Sequence, residues 1–287
     1  MWPQAAAVEL SAAEIIHRSV EVNERDWKVG PSFSHVERDI EIKGGEKTDH
    51  TYEVFLMDGS PYRRLIAVDG QPLSAARQKQ EAQKEGRELA RRRAESPEER
   101  QQRIDHYKKD REHDHVLIIQ METAFNFRLA GDETLDGHPV YLLTAEPKPD
   151  YQPPNHEAKV LTGMKGKLWV DKAEFHWAKV EAEVVRPVTF AGFLAKVAPG
   201  TKFMLEKQPV AEHIWQPKKF ADEVVASVLF WSKNSTILNT FSDYRPNGAI
   251  SGLLRLPRAA DLQLQRQEVQ QVLQRENGNQ LPMVDHH

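Results

Sequence analysis

Residues 166–184 read GKLWVDKAEFHWAKVEAEV, and this stretch decides the predicted fold. The run from Leu168 to Val170 is apolar and rich in strand-forming residues, Asp171-Lys172-Ala173 is a turn, and a second extended run begins at Phe175. Two such runs separated by a short turn predict neighbouring antiparallel strands. We therefore expect an antiparallel sheet in this part of the chain.

The second run predicts a sheet with one solvent-exposed face. Strict alternation places small apolar side chains on one face and mostly charged ones on the other. The small face carries His176, Ala178, Val180, Ala182 and Val184. The other face carries Phe175, Trp177, Lys179, Glu181 and Glu183.

Extended runs of the same kind lie on both sides of this stretch. Residues 52–57 and 62–68 flank the turn formers Asp58-Gly59-Ser60-Pro61 and predict an antiparallel hairpin. Between residues 116 and 244, further runs recur roughly every 10–15 residues with no strong helical pattern between them, which predicts an antiparallel meander. Residues 224–231 are apolar on both faces and predict a central strand.

Two parts of the chain carry helix signals. Ser11 with Glu14 forms a capping-box pattern at the start of a first helix. Residues from about 73 to 115 are rich in Arg, Lys, Glu, Gln and Ala, and Ser96-Pro97-Glu98-Glu99 interrupts this run and restarts it. We expect two highly charged helices here, forming an insertion between strands.

The triplet Arg91-Arg92-Arg93 in that segment raises the hypothesis of nucleic-acid binding. Acidic residues interleave with the basic ones throughout the segment, which favours a solvated helix face instead. The formal net charge of the whole chain is -4, and its pI is about 6.3. Because no overall basic field exists, we expect no nucleic-acid partner.

Length and composition narrow the classes of protein further. A chain of 287 residues can form one large domain or two small ones. The absence of cysteine excludes disulfides, thiolate metal sites and cysteine nucleophiles. No apolar run is long enough to span a membrane. The opening Met1-Trp2-Pro3-Gln4 lacks a basic and apolar leader, so the expected form is a cytosolic protein or an exported protein in its mature or trimmed form.

A search for catalytic motifs returns none that nominates an active site. The sequence has no Gly-x-Ser-x-Gly elbow, no phosphate-binding glycine loop and no His-Glu-x-x-His helix. His113-x-His115, beside Glu112 and Asp114, is the one local cluster of metal-ligand residue types, and two ligands do not make a tight site. We therefore predict no catalytic residue, no cofactor and no metal.

Most of the aromatic residues fall in the β-rich part of the chain. Filling the core is the favoured interpretation, and an apolar cavity within a curved sheet is the alternative. The candidate cavity residues are the aromatic and small apolar residues of the predicted strands. They are Phe125, Phe127, Trp169, Trp177, Val180, Ala182, Phe203, Trp215, Val228 and Phe230.

Four strand and turn segments of this region resemble the outer-membrane lipoprotein-sorting (LolA-like) proteins. They are Gly131-Asp132-Glu133, residues 137–143 (GHPVYLL), residues 166–171 (GKLWVD) and residues 177–183 (WAKVEAE). The closest match is Leu168-Trp169-Val170-Asp171, a strand that turns tightly into the next strand. The resemblance covers roughly residues 116–244. The charged segment and the Gln-rich tail have no counterpart in the simple carriers of this family.

The resemblance implies an α+β fold, in which a strongly curved antiparallel sheet, a half-open β-barrel, has covering helices and a charged helical insertion. We expect a single LolA-like β domain over residues 1–257 with the helical insertion at about residues 73–115. Residues 258–287 are expected to form a Gln-rich helix and a disordered tail.

The function implied is that of a non-enzymatic protein of the periplasm or cell envelope. Its ligand would be a lipid or the acyl chain of a lipoprotein, held in an apolar cavity, with an envelope protein as a further partner and peripheral contact with the membrane at most. Two alternatives stay open: a structural or sensor protein of the same fold with a packed interior, and an enzyme whose site the sequence does not reveal.

Overall fold

A computed structural model describes residues 10–190, 195–228 and 231–247 of the chain. The helices are α1 (Ala12–Val29), α2 (Ala75–Arg93), α3 (Pro97–Ile119) and α4 (Met121–Ala124), with short 3-10 segments at Gly30–Ser32 and Glu157–Gly163. The first strands are β1 (Phe33–Lys43), β2 (Glu46–Met57), β3 (Ser60–Val68), β4 (Gln71–Pro72), β5 (Phe125–Leu135) and β6 (His138–Pro147). The later strands are β7 (Met164–Asp171), β8 (Trp177–Val184), β9 (Val188–Phe190), β10 (Ala195–Val197), β11 (Lys202–Ala211), β12 (Ile214–Val228) and β13 (Trp231–Pro246).

The thirteen strands in the described part of the chain form one open, curved antiparallel sheet. Its main order is β4-β3-β2-β1-β13-β12-β11-β8-β7-β6-β5, and the short strands β9 and β10 branch from β12. The predicted α+β class with an antiparallel meander is therefore confirmed. β12 lies between β11 and β13, as expected for a strand that is apolar on both faces.

Two of the predicted strands differ from the structure at their ends. The predicted strands at 211–216 and 224–231 share one long strand, β12, which begins at Ile214 after a turn, passes through Pro217 and includes the start of the second run. A bulge absorbs the proline: Lys218 is the extra residue between the pairs Glu206–Lys219 and Lys207–Pro217. A bulge tolerates a residue that has no N–H to donate, so the strand continues.

The hairpin of β2 and β3 forms where its turn residues predict it. Asp58 and Gly59 both adopt positive φ angles of 44° and 93°. Such angles at both central positions define the hairpin turn whose twist matches that of the flanking strands, and Asp-Gly is a preferred sequence for it.

A bulge in β8 corrects the predicted faces of this strand. Val170 pairs with Trp177, but Trp169 pairs with Lys179, so Ala178 is an extra residue in the ladder. Trp177 therefore lies on the same face as Val180, whereas strict alternation placed it with Lys179. This face, which also carries Leu168 and Val170, packs against α1 and is called the helix face below.

Helix α1 begins at the predicted N-cap, and part of its buried side is polar. Ser11 is the N-cap, and its hydroxyl accepts a hydrogen bond from the backbone N–H of Glu14. The first half of the helix buries Ile15 and Ile16 against the helix face. The second half buries polar side chains, namely Ser19, Asn23 and Asp26.

Helices α2 and α3 occupy the charged segment and are held to the turn between β2 and β3. Ser96 and Glu99 form the predicted capping box at the start of α3. Arg92, expected on a solvated face, is 8% exposed, and its guanidinium donates to the carbonyl oxygens of Met57 at 2.6 Å and Ser60 at 2.9 Å. Arg103 donates to the Ser60 hydroxyl at 2.7 Å. The segment is therefore anchored to the sheet by arginines rather than by a large apolar face.

No helix within the described ranges is long and apolar enough to cross a membrane. The predicted Gln-rich helix at residues 259–276 and the tail beyond it lie outside the described residues. The division at residue 257 therefore stays a prediction.

Candidate functional site

A cavity of about 610 Å³ lies between the helix face of the sheet and helices α1 and α3, and we call it the aromatic cavity. Small-molecule sites in proteins commonly enclose about 300–1,000 Å³, so the volume suits an organic ligand. Ring side chains supply much of the wall. They are Trp27, Phe33, His35, Phe55, Tyr107, Trp177, Phe241 and Tyr244.

The two helices contribute one face each to this wall. Asn23 and Trp27 are four residues apart on α1, and Tyr107 and Arg111 are four residues apart on α3. Residues at this spacing lie on the same side of a helix. Ile118 of α3 lies further along the same wall. The charged segment therefore covers the cavity with a few inward side chains and presents its remaining charges elsewhere.

Alternation along β1 brings two ionisable groups to the cavity beside aromatic rings. Phe33, His35 and Glu37 line the wall. The His35 ring stacks on Tyr244 with 5.2 Å between the ring centroids. Burial lowers the pKa of His35 to about 4, with a smaller contribution from the nearby Arg63, and burial raises the pKa of Tyr244. Both rings are therefore neutral near pH 7 and add to the apolar character of the wall.

Glu37 has an unusual environment in this cavity. Burial raises the pKa of its carboxyl to about 7, and repulsion from Asp39 adds to this shift. Arg63 lies 3.3 Å from the Glu37 carboxylate, and its positive charge opposes this rise in pKa. Arg63 also pairs with Asp39. The Glu37 carboxyl is consequently poised to gain or lose a proton near neutral pH.

A buried polar network forms the far wall and joins α1 to the sheet. Nδ1 of His176 lies 2.8 Å from the Asp26 carboxylate, and the Lys207 ammonium donates to Asp26 at 3.1 Å and to Asn23 at 2.7 Å. The amide of Gln216 donates to the Asp26 carbonyl at 2.9 Å. Burial lowers the pKa of Lys207, and the neighbouring Asp26 opposes this change. Because Asp26 of α1 pairs with Lys207 of β11 and contacts His176 just before β8, the network holds α1 against these two strands.

Arg111 differs from the other cations of the wall because it has no carboxylate partner among the described side chains. Arg63 pairs with Glu37 and Asp39, and Lys207 pairs with Asp26. The guanidinium of Arg111 donates to the Trp27 carbonyl and lies over the Trp27 ring, 4.4 Å from its centroid. Burial lowers its pKa.

His115, from the local cluster at residues 112–115, packs against helix α1. His115 stacks on Trp27 with the ring centroids 4.0 Å apart and is 7% exposed, and burial lowers its pKa. The side chain of His113 lies outside the described part of the structure. Within the described part, no group of three or more His, Asp and Glu side chains is placed to hold a metal ion.

The structure distributes the ten sequence-predicted cavity residues over several places. Trp177 lines the aromatic cavity. A hydrophobic cluster beneath α4 contains Phe125, with Phe127, Ala182 and Phe203 packed against it. Val180 packs on the cluster formed with α1. Trp169 and Trp215 pack together on the opposite face of the sheet. The side chain of Val228 and all of Phe230 lie outside the described part.

A second depression of about 730 Å³ runs along the middle of the sheet. Ala182 and Phe203 border it, but many of its lining side chains are charged, among them Lys165, Lys179 and Glu181. Its volume exceeds that of the aromatic cavity, yet its charged lining suits solvent better than an apolar ligand. We therefore take the aromatic cavity as the candidate site.

Sequence reasoning missed most of this wall. Trp27, Tyr107 and Arg111 belong to helices, whereas the candidate cavity residues all came from predicted strands. Phe55 lies in the predicted hairpin, and its place on the wall depends on the pairing of β2 with β1. One signal was present: Tyr107 is a large aromatic residue in a very polar helix.

No protein-family model matches this chain, and no curated protein matches it. Among solved structures it is similar to a LolA superfamily protein from Nitrosomonas europaea at 11% identity, covering 83% of this chain and 94% of that one, with a TM-score of 0.34. It is also similar to a putative outer membrane lipoprotein-sorting protein domain from Vibrio parahaemolyticus at 12% identity, covering 82% and 95%, with a TM-score of 0.32. A third similar structure is the MucA/MucB complex of Pseudomonas aeruginosa, at 11% identity, covering 80% and 99%, with a TM-score of 0.23.

These similarities are distant. They include structures from the superfamily that the sequence resembles. The low TM-scores give them no weight in the choice of function, which depends on the aromatic cavity.

Proposed function

We propose that this chain is a non-enzymatic binding protein of the periplasm or cell envelope. Its ligand is a lipid or the acyl chain of a lipoprotein, and the ligand lies in the aromatic cavity. The observation that carries the proposal is the cavity of about 610 Å³ with its ring-lined wall. The envelope location and the lipoprotein come from the sequence resemblance.

The chemistry of the wall supports an apolar ligand. Tyr244 and His35 are neutral near pH 7, and Trp177 satisfies its indole N–H by donating to the Ser19 hydroxyl at 3.0 Å. The uncharged rings of Tyr244 and His35 and the hydrogen-bonded indole of Trp177 can therefore contact an alkyl chain at low cost. Each methylene that leaves water for such a wall contributes about 0.8 kcal/mol to binding.

The first test is the saturable binding of straight-chain alcohols, from octanol to tetradecanol, measured by displacement of a fluorescent acyl probe from lipid-stripped protein. We expect affinity to rise about fourfold for each added methylene until the cavity is full. Binding should change little with salt, because the alcohols carry no charge.

A pair of neighbouring substitutions locates the binding in the cavity. Leu205 lines the aromatic cavity, whereas Met204, the residue before it on β11, borders the charged depression. Leu205→Trp should weaken the binding of tetradecanol by about tenfold or more, since the added ring occupies ligand volume. Met204→Trp adds similar bulk on the other face and should bind as the unchanged protein does. Absence of saturable binding in the stripped protein would reject the proposal and favour a structural or sensor protein.

Glu37 is the observation that favours an enzyme as the second candidate. A carboxyl with a pKa of about 7 in a cavity can act as a general acid or base. Release of nitrophenol from p-nitrophenyl dodecanoate by the unchanged protein, lost in Glu37→Gln, would favour the enzyme over simple binding.

A further inference from the structure

The aromatic cavity contains a charge that its own residues leave without a partner. Three cations line the wall, and two of them have carboxylate partners: Lys207 pairs with Asp26, and Arg63 pairs with Asp39 and also lies beside the Glu37 carboxyl. Arg111, the third, forms no ion pair with any side chain in the described ranges. Both carboxyl groups that line the cavity, Asp26 and Glu37, therefore lie beside other cations.

The Arg111 guanidinium is held in place by neighbouring groups of the protein. Its guanidinium lies over the rings of Trp27 and Tyr107, at 4.4 Å and 5.8 Å from their centroids. One of its N–H groups donates to the Trp27 carbonyl, and the remaining donors have no partner among the described atoms. Aromatic stacking and one hydrogen bond hold the planar group, while several donors stay available.

An anion is the ligand group that matches these donors. Guanidinium binds carboxylate or phosphate oxygens through paired N–H donors, and such charge-assisted hydrogen bonds are stronger than neutral ones. Partial burial of Arg111, seen also in its lowered pKa, makes an unpaired cation costly and its neutralisation favourable. An alkyl chain on that anion would extend along the ring-lined wall.

We propose that Arg111 binds the anionic head group, a carboxylate or a phosphate, of an amphiphile whose alkyl chain fills the aromatic cavity. This inference rests on the proposed function and names the ligand class that the cavity prefers. Ligand preference then has two separate sources: chain length is selected by the rings, and head-group charge is selected by α3.

The test compares three ligands that share one chain: dodecanoate, dodecyl phosphate and dodecanol. Each displaces the same fluorescent acyl probe below its micelle concentration. We expect the two anions to bind about 10- to 100-fold more tightly than dodecanol, which corresponds to one charge-assisted hydrogen-bonded pair. Dodecyltrimethylammonium, with the opposite charge, should bind more weakly than dodecanol.

Three variants assign the preference to Arg111. Arg111→Met keeps the length of the side chain without its charge and should reduce the ratio of dodecanoate affinity to dodecanol affinity to near one. Arg111→Lys should retain part of the ratio. Arg100→Met removes an exposed arginine from the same helix and should leave the ratio unchanged. A purely structural role for Arg111 would weaken both ligands together and leave the ratio unchanged.

The outcomes separate this inference from the proposed function. Equal affinities for the anions and the alcohol in the unchanged protein would overturn the inference while acyl binding itself stands. Failure of all ligands to bind would reject both. If inorganic phosphate binds as tightly as dodecyl phosphate, the ligand is not an amphiphile, because the alkyl chain then contributes nothing to binding. Different affinities for dodecanoate and dodecyl phosphate, with both exceeding dodecanol, would support the inference and identify the preferred anion.

Discussion

Two ionisable side chains of the cavity wall have pKa values that are shifted in opposite directions. The pKa of His35 is lowered to about 4 and that of Glu37 is raised to about 7, in each case chiefly by burial. The charged neighbours of this pair are Arg63 and Asp39, and Tyr244 lies against both residues. Burial thus favours the neutral form of each group, and the pKa of Glu37 becomes higher than that of His35.

The two shifts affect stability with opposite signs. Between about pH 4 and 6.5 the unfolded chain binds more protons at His35 than the folded protein does, so this contribution to stability rises with pH. Between about pH 4.5 and 7 the folded protein binds more protons at Glu37, so that contribution falls as pH rises. Over the shared range the two contributions offset each other.

Replacing Glu37 by Gln should expose the contribution of His35. Between pH 4.5 and 7, the free energy of unfolding of Glu37→Gln should increase with pH by about 1–3 kcal/mol more than that of the unchanged protein. His35→Gln should show the opposite change. Urea unfolding at several pH values measures both, with Glu21→Gln on the exposed side of α1 as the control. Parallel pH curves for all four proteins would show that neither pKa is shifted by folding.

At the scale of elements, arginines connect the charged helices to the sheet. Arg92 of α2 donates to the carbonyl oxygens of Met57, Ser60 and Pro61, all around the turn between β2 and β3. Arg103 of α3 donates to the Asp58 carbonyl and pairs with Glu95 at the junction of the two helices. Two helices with little apolar surface are therefore held by hydrogen bonds to a single tight turn.

Arg92→Met should destabilise the protein by about 2–4 kcal/mol, because it leaves several buried carbonyl oxygens without donors. The matched control is Arg93→Met, which removes the next arginine from the exposed side of α2 and should change stability by less than about 0.5 kcal/mol. Urea unfolding of the two variants gives the comparison. Equal stabilities would mean that water replaces Arg92 at these carbonyl groups.

The sequence predicted those elements whose signals are local. The N-cap at Ser11, the capping box at Ser96, the Asp58-Gly59 turn and the strand pattern of residues 166–184 are set by neighbours in the chain, and each appears in the structure. The bulge at Ala178 was missed because strict alternation has no place for an extra residue.

The candidate site depends on contacts between distant residues, and sequence patterns do not contain these. Asp26 and His176 are 150 residues apart and meet in the wall of the cavity. The second half of α1 has a polar sequence, and only its contacts with β8 and β11 show that Ser19, Asn23 and Asp26 are buried. Likewise, Arg92 in an Arg-rich helix has the pattern of an exposed residue until its carbonyl partners are known. Composition describes a segment on average and does not identify the few residues that point inward.

At the scale of the whole molecule, the cavity is built from parts that differ in composition. The sheet supplies most of the rings, whereas α3 supplies Tyr107 and the unpaired cation Arg111. The same segment is tied to the β2–β3 turn through Arg92 and Arg103. A segment that adds few apolar side chains to the core therefore closes one side of the candidate site.

Replacing residues 77–110 by a short flexible linker tests whether the segment and the sheet have separable roles. Most side chains removed are exposed, and the strand ladders do not pass through this segment, so we expect the β-sheet signal in circular dichroism to persist. Loss of Arg92 and Arg103 should lower the midpoint of urea unfolding. Loss of Tyr107 opens the cavity to water and should weaken the binding of tetradecanol by about tenfold or more, because less of the chain leaves water. Tyr107→Ala in the full chain is the matched control, which opens the wall while both helices stay anchored. If the sheet unfolds without the segment, the interpretation of the segment as an insertion is wrong. Full binding by the shortened chain would show that the helices do not close the site.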